Sequence, residues 1–447
     1  MRSIVLRSYI VLLLLSLATE VDLFPLKIFS VESVPFSFFF MIIGMMMPLF
    51  FWQRFLLFLR GKRTLLILGA LFLLSGLVSV LLSPLPRLHG AKVLFNYGLF
   101  LGTSFSLLFL LSLERGLGLF FLKTIAAISV LYALLSMIEV MDRDFLRFLA
   151  DTFRGGEQNI VHGWLRPGAT FLHPNIFGCF MSLGILIFIY LKERLTVKNS
   201  VFFPAVLTLC LAMTLSASRN AMLILLIPLV ILFFNKKTAP TALVVLLVTL
   251  FLLAAMALLQ SRFTDLRNVR VNTGKTPTNP VGMRNQLMTK TPVAFNTVGT
   301  RLMLWESAIR MLKDHPVLGI GPGGYNRALK EYASPSLLAV EKKKIDREYL
   351  NAHNGLLNLL AEFGTAGATL AILFFLLLFR KIIQQQGPVF PSPVYAIVLG
   401  IVFSFGPDAF FYSRFYMVIS LSLLFFFALH KDVSPSAGAT TPKEPIF

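Results

Sequence analysis

Two residue types stand where they could do chemistry in an otherwise apolar chain. Arginines mark the edges of apolar runs at Arg166, Arg219, Arg301 and Arg414, and a histidine, His353, opens another such run. A guanidinium is a planar, permanently charged fork that meets phosphate oxygens two at a time. An imidazole with an unperturbed pKa near about 6.5 can take up a proton at neutral pH. Together, at helix starts along one face, they suit a site for an anionic substrate.

The local settings differ. Arg166 begins the string RPGATFLHPN over 166–175, where Pro174 suits a first helical turn and His173 and Asn175 fall at the helix start. For His173 alone, a plain turn and cap explains the placement as well as a ligand contact does. Arg219 follows TLSAS over 214–218. Ser218 is an expected N-cap, so Arg219 enters a helix at its positive end, where a cation is unfavourable. An arginine inside a membrane costs roughly 2.5–3.5 kcal/mol on insertion scales, less where it can snorkel. An anion shared by the guanidinium and the free helix N–H groups accounts for the placement better than a snorkelling anchor.

Thr300 is expected to cap a helix running to about Asp314, with Leu304, Ala308, Met311 and Leu312 as its apolar stripe. Arg301 again lies near that start. The string GIGPGG over 319–324 is a tight turn, followed by Tyr325 as a candidate contact. It is neither a Walker loop nor a dinucleotide fingerprint, since no Lys-Ser or Lys-Thr follows and no strand–helix unit surrounds it. His353 and Asn354 open an apolar run that contains Glu362, Gly364 and Gly367. A histidine at a membrane surface is also a common interfacial residue. An acid as deep in a run as Glu362 is a functional candidate by default, whereas the glycines read as close helix packing.

The elements that must position these residues are membrane helices. The chain has 447 residues, 56% hydrophobic and 14% charged, against about 25% charged in soluble domains. Runs near about 20 apolar residues mark spans. Twelve are read, at 4–19, 34–52, 64–83, 93–112, 117–140, 171–191, 201–216, 220–235, 241–260, 355–379, 392–406 and 412–429. The expected fold is thus an all-α polytopic integral membrane protein of about twelve transmembrane helices, with a large, partly helical loop between the ninth and tenth. Cys179 and Cys210 both lie in apolar runs, which argues against a disulfide framework or a zinc site.

Orientation follows the short basic loops. Arg54, Arg60, Lys62 and Arg63 follow the second span, Arg115 the fourth, Lys192, Arg194 and Lys198 the sixth, Lys236 and Lys237 the eighth, and Arg380 and Lys381 the tenth. These even connections and both termini are then cytoplasmic, and the long connections 141–170 and 261–354 face outward. The chain divides into helices 1–9 over 1–260, an outer loop domain over 261–354, helices 10–12 over 355–429, and a tail over 430–447 whose Pro, Ser, Ala and Thr content reads as disorder. The stretch 261–352 carries fifteen Lys and Arg against seven Asp and Glu, which breaks the inside rule, but that rule weakens for long translocated loops. Solvated helices on anionic headgroups or a collar for an anionic substrate both explain this charge. The net charge of +20 is scattered between apolar runs, which favours membrane lipid and a phosphate-bearing substrate over nucleic acid. Spans 6, 8, 10 and 12 all begin outside, so Arg166, Arg219, His353 and Arg414 lie at or near outward helix N-termini.

The chain resembles the O-antigen ligase and polymerase superfamily of bacterial envelope enzymes. The similar elements are Arg166 with GATF over 168–171 and Pro174-Asn175, Ser218-Arg219, Gly299 with Arg301 and Trp305, HPVLGIGPG over 315–323, and His353-Asn354 with Glu362 and Gly364. Asn220 stands where a glycine commonly follows Ser-Arg. The resemblance implies a helical glycosyltransferase of the bacterial inner membrane, working on the periplasmic side on a glycan carried by undecaprenyl pyrophosphate. Its acceptor is the lipid A core in a ligase, or another lipid-linked glycan in a polymerase; related enzymes glycosylate proteins. Arg219 and Arg301 would bind the pyrophosphate and His353 would act on the acceptor hydroxyl. Arg166, Asn354 and Arg414 are further substrate-binding candidates, with Asn175, Ser218, Tyr325 and Glu362 behind them. No cofactor and no metal are expected, since no cluster of outward acids is evident and Asp408 stands alone in its loop.

O-antigen ligase is the favoured expectation and a polysaccharide polymerase the alternative, because the motifs serve the donor both share. A transporter or flippase of lipid-linked sugars is the contrasting class. It predicts polar residues at the midplane of several spans. Lys123 and Glu362 are the clearest such residues, while the others gather at the outer edge, which favours a transferase.

Overall fold

The apolar runs become helices because a backbone without water must satisfy its own hydrogen bonds. The computed structural model describes residues 2–19, 36–114, 116–153, 160–161, 164–171, 173–194, 196–271, 297–346, 351–386, 392–405 and 414–429. The expected tail 430–447, the loop stretch 272–296 and Asp408 lie outside these residues. The helices are α1 (Arg2–Ala18), α2 (Phe36–Met46), α3 (Trp52–Arg60), α4 (Arg63–Leu82), α5 (Arg87–Ser112), α6 (Leu117–Met141), α7 (Arg143–Phe153), α8 (Pro174–Glu193) and α9 (Asn199–Leu215). They continue as α10 (Arg219–Leu232), α11 (Ala239–Val271), α12 (Thr297–Asp314), α13 (Tyr325–Tyr332), α14 (Pro335–Asp346), α15 (Gly355–Gln386), α16 (Pro393–Ser404) and α17 (Arg414–Leu429). Two short antiparallel strands, Ile160–Val161 and Trp164–Leu165, precede Arg166.

A helix lies in each of the twelve apolar runs. Among the described residues seven helical segments are long and apolar enough to cross a membrane, and five apolar helices are shorter. Three boundaries differ from expectation. The second run is interrupted by a 3-10 turn at Met47–Phe51, with Pro48 in its first turn, and helix resumes through Arg60. A proline lacks the N–H that a continuous helix needs there. The ninth run does not stop at 260, since α11 continues to Val271. The helix expected to begin at Thr300 begins at Thr297, so Thr300 is not its cap and Arg301 lies in its second turn.

α8 is the centre of the bundle. It is apolar all round, and every residue from Ile176 to Leu191 is buried, as expected of a helix with neighbours on all sides. It packs against α6, α9, α10 and α16. α15 packs against α4 and α17, and α17 against α5.

α12, α13 and α14 form a second small core, in which Leu304, Ala308, Met311, Ile320, Tyr325 and Leu329 are buried together with Ala361 of α15. Leu304, Ala308 and Met311 belong to the expected stripe; Leu312 is half-buried. The glycine-rich turn stitches this layer to the bundle. Gly319, Gly321 and Gly323 all have positive φ. Ile320 N–H donates to Ala361 O at 2.9 Å, and Gly321 N–H to Glu362 O at 3.0 Å. In return Thr365 N–H donates to Pro316 O at 2.9 Å and Ala366 N–H to Val317 O at 3.1 Å. This exchange occurs because α15 is broken at Gly364, whose φ of 63° and ψ of −169° are not helical. A Cβ at Gly364 would lie 2.3 Å from Val317 O. This glycine therefore serves a backbone-to-backbone contact rather than ordinary helix packing.

Candidate functional site

Three loops meet at one end of the bundle. The first carries Arg166, the second is the Ser216–Ser218 turn between α9 and α10, and the third is the approach to α15. Arg166 joins the first two: its Nε donates to Ser216 O at 2.7 Å, and its Nη2 donates to Asn175 Oδ1 at 2.8 Å and to Ala217 O at 3.4 Å. The first turn of α8 and the entry to α10 are thus held by one guanidinium. Gly178 of α8 permits the close approach, because a Cβ there would meet Ser216 Oγ at 2.7 Å and the Cβ of Ala221 at 2.9 Å.

Each helix starts on a side-chain cap, which satisfies N–H groups left over at its first turn. His173 Nδ1 accepts from Asn175 N–H at 3.1 Å, with Pro174 in the first turn of α8. Ser218 Oγ accepts from Ala221 N–H at 3.2 Å, as its sequence position predicts. Asn354 Oδ1 accepts from Leu356 N–H at 3.1 Å and from Leu357 N–H at 3.2 Å, at the head of α15. The positive ends of three helices therefore point into the same region.

The charges act on one another. Burial and the Arg219 guanidinium lower the proton affinity of Arg166 below that of an ordinary arginine. The ring of His173 reaches solvent. The protein around it, Arg166 and His353 nevertheless push its pKa down to about 4. The same interactions show that Arg166, Arg219, His173 and His353 share one electrostatic neighbourhood. Among the described residues, neither Arg166 nor Arg219 is ion-paired with a carboxylate. Cations at helix N-termini have the chemistry to meet an anion such as a phosphate.

The backbone is strained at the same place. Among the described residues, the non-glycine residues with positive φ are Ala169 (49°), Ala217 (48°) and His353 (48°), one in each of the three loops. Such conformations persist where surrounding contacts over-determine them, and they cluster at functional sites. Asn351 Oδ1 holds the His353 N–H at 2.9 Å, and Gly355 N–H donates to Phe405 O at 2.9 Å. At Ala169 the contact is a buried acid in α6: Glu139 Oε2 accepts from Gly168 N–H at 3.1 Å and from Ala169 N–H at 2.8 Å.

Arg301 is half-buried on α12. Arg414 is the first residue of α17, and its side chain lies outside the described residues. Tyr325 is buried, with its hydroxyl donated to Leu304 O at 2.7 Å. Glu362 is buried in the membrane run but faces the start of α13, where its carboxylate accepts from Gly323 N–H at 2.9 Å and Tyr325 N–H at 3.4 Å. These bonds and those of Ile320 and Gly321 commit the N–H groups of the glycine-rich turn to the protein. The cavity beside the turn, lined by Arg87, His89 and Arg327, is about 10 Å³, no more than a water needs. Sequence reasoning missed Glu139, although an acid inside an apolar run is the signal that drew attention to Glu362.

Residues 203–372 match the family model described as O-Antigen ligase, a stretch that includes Arg219, Arg301, His353 and Glu362. Over that stretch the chain is similar to the O-antigen ligase family. It is also similar to a general O-oligosaccharyltransferase of Acinetobacter baylyi (strain ATCC 33305 / BD413 / ADP1), with 28% identity over 202 residues. That alignment covers 44% of this chain and 32% of the relative, so the chain spans about a third of the relative's length. Arg166, His173 and Glu139 lie outside the matched family segment; their place in the site rests on the bonds and charges described above.

Proposed function

We propose that this protein is a membrane glycosyltransferase that moves a glycan from undecaprenyl pyrophosphate to an acceptor hydroxyl on the periplasmic side of the inner membrane. The acceptor in this reading is the lipid A core, which makes the protein an O-antigen ligase. The observation that carries it is the meeting of the Arg166, Arg219 and His353 loops, with three helix N-termini, strained backbone and two arginines that, among the described residues, no carboxylate pairs. The match of residues 203–372 to the O-antigen ligase family model supports the reaction class.

Arg166 and Arg219 hold the pyrophosphate. The acceptor oxygen attacks the anomeric carbon as its proton passes to His353, the bond from that carbon to the phosphate oxygen breaks, and the pyrophosphate leaves with the electron pair. The arginines and helix ends stabilise the charge as it develops. Arg301 and Arg414 are assigned to the donor on resemblance and helix position. Asn354 serves the site by capping the helix that presents His353. Among the described residues no three His, Cys, Asp or Glu side chains gather as a metal set, and the proposed step needs none.

The test is deletion of the gene followed by lipopolysaccharide electrophoresis, with transfer by the purified protein from a lipid-pyrophosphate glycan measured alongside. Unattached polymer above a bare core supports the ligase. A core bearing one repeat replaces that reading with a polymerase. A wild-type pattern with no transfer by the purified protein overturns both.

A further inference from the structure

We propose that His173 contacts the donor, giving a hydrogen bond from its Nε2–H to a phosphoryl oxygen. The inference rests on the function proposed above and adds a substrate-binding residue to that site. It begins with an excess of chemistry for the job the residue visibly does. Capping α8 needs one acceptor, and serine, asparagine or aspartate supplies it with less bulk. Here an imidazole does so, through Nδ1 accepting from Asn175 N–H at 3.1 Å.

That bond fixes the tautomer. A neutral imidazole has one donor and one acceptor nitrogen, so with Nδ1 accepting, the proton resides on Nε2. While α8 stays capped, the ring can donate from Nε2 and cannot act as a base. The residue is exposed, and among the described residues Nε2 has no hydrogen-bond partner. It lies in the field of both Arg166 and His353, the residues assigned to donor and acceptor. The protein packed beside the ring, together with these two neighbours, favours its neutral form.

The ligand class follows from this arrangement. A group met by guanidinium forks and a donor-only imidazole must present acceptor oxygens with no proton of their own, which describes a phosphoryl group. A neutral donor is useful here, because a third cation would add to the repulsion between Arg166 and Arg219.

The experiment separates cap from contact. His173→Ser and His173→Asn keep a capping oxygen and remove the Nε2 donor, whereas His173→Ala removes both. The Michaelis constant for the lipid-pyrophosphate donor, kcat and the melting temperature are measured for each, with Arg219→Ala in parallel. The expected result is that His173→Ser and His173→Asn melt with the wild type and raise the donor KM about tenfold, the effect of losing one hydrogen bond to a charged group. Only His173→Ala should also lose melting temperature. Wild-type KM and kcat in His173→Ser, with Arg219→Ala impaired, overturn the role of His173 alone. Full activity in Arg219→Ala overturns the site itself. If both cap replacements destabilise the fold, nitrogen NMR of the wild-type ring decides: an Nε2-protonated imidazole that shifts with inorganic pyrophosphate supports the contact, and an Nδ1-protonated or unmoved ring overturns it.

Discussion

Glu139 Oε2 lies 2.8 Å from the backbone nitrogen of Ala169 and 3.1 Å from that of Gly168, so one buried carboxylate oxygen secures the turn that follows Arg166. Removing it leaves two buried N–H groups without their acceptor, at about 1–3 kcal/mol each, and releases a backbone that is strained at Ala169. Glu139→Ala should lower the melting temperature and raise the donor KM together. Glu139→Gln keeps an amide oxygen able to accept both bonds and should stay near wild type. A normal donor KM in Glu139→Ala would show that the turn does not depend on this acid.

The two central arginines should differ in what they tolerate. Arg166 bonds to Ser216 O, Asn175 Oδ1 and Ala217 O at once, which a lysine's single ammonium cannot reproduce. Arg219 is exposed and contributes mainly charge. Arg166→Lys should therefore lose at least about tenfold in transfer, and Arg219→Lys less, while Arg219→Ala should be severe. Equal activity of the two lysine variants, at matched expression, contradicts this division.

His353→Ala should abolish turnover, by about 10²–10⁴-fold for a lost general base, while donor binding persists. Binding and single-turnover transfer are measured on one preparation. A variant that binds donor poorly yet transfers normally at saturating donor makes His353 a donor-site residue instead.

His173 gives a pH dependence whose sign can be worked out. Its folded-state pKa is about 4, against about 6.5 in an unfolded chain. Between these values the unfolded state binds the proton and the folded state does not. Wild-type stability should therefore fall as pH drops from about 6.5 towards about 4. His173→Ser lacks this contribution and should lose less melting temperature over that window, with Arg166 and His353 unchanged beside it. Parallel curves for the two proteins would mean that the ring is not held neutral.

Local signals in the sequence account for much of this fold. The twelve apolar runs each hold a helix, and Ser218, Pro174 and the 166–175 string sit where capping and proline preferences put them. What escaped was tertiary. No local pattern pairs Glu139 with a turn about thirty residues later, or turns Glu362 towards the head of α13. Gly364 read as a packing glycine because its break is made by Val317, nearly fifty residues earlier in the chain. Arg301 read as a helix-start cation because Thr300 looked like a cap, yet helical backbone begins at Thr297. The shared neighbourhood of Arg166, Arg219 and His353 follows from where three loops close, which periodicity does not reveal.

The break in α15 also governs which pieces of this protein can be exchanged. Residues 316–321 and 361–366 complete each other's hydrogen bonds, and neither backbone path makes sense without the other. A chimera that replaces the α12–α14 layer with a relative's must carry the 361–366 stretch of the bundle helix along with it. Cut at the apparent junction before α15, the graft would leave half of a shared backbone ladder on each parent. The two segments are one inheritable unit despite being some forty residues apart, and recombination between relatives would be expected to preserve them together.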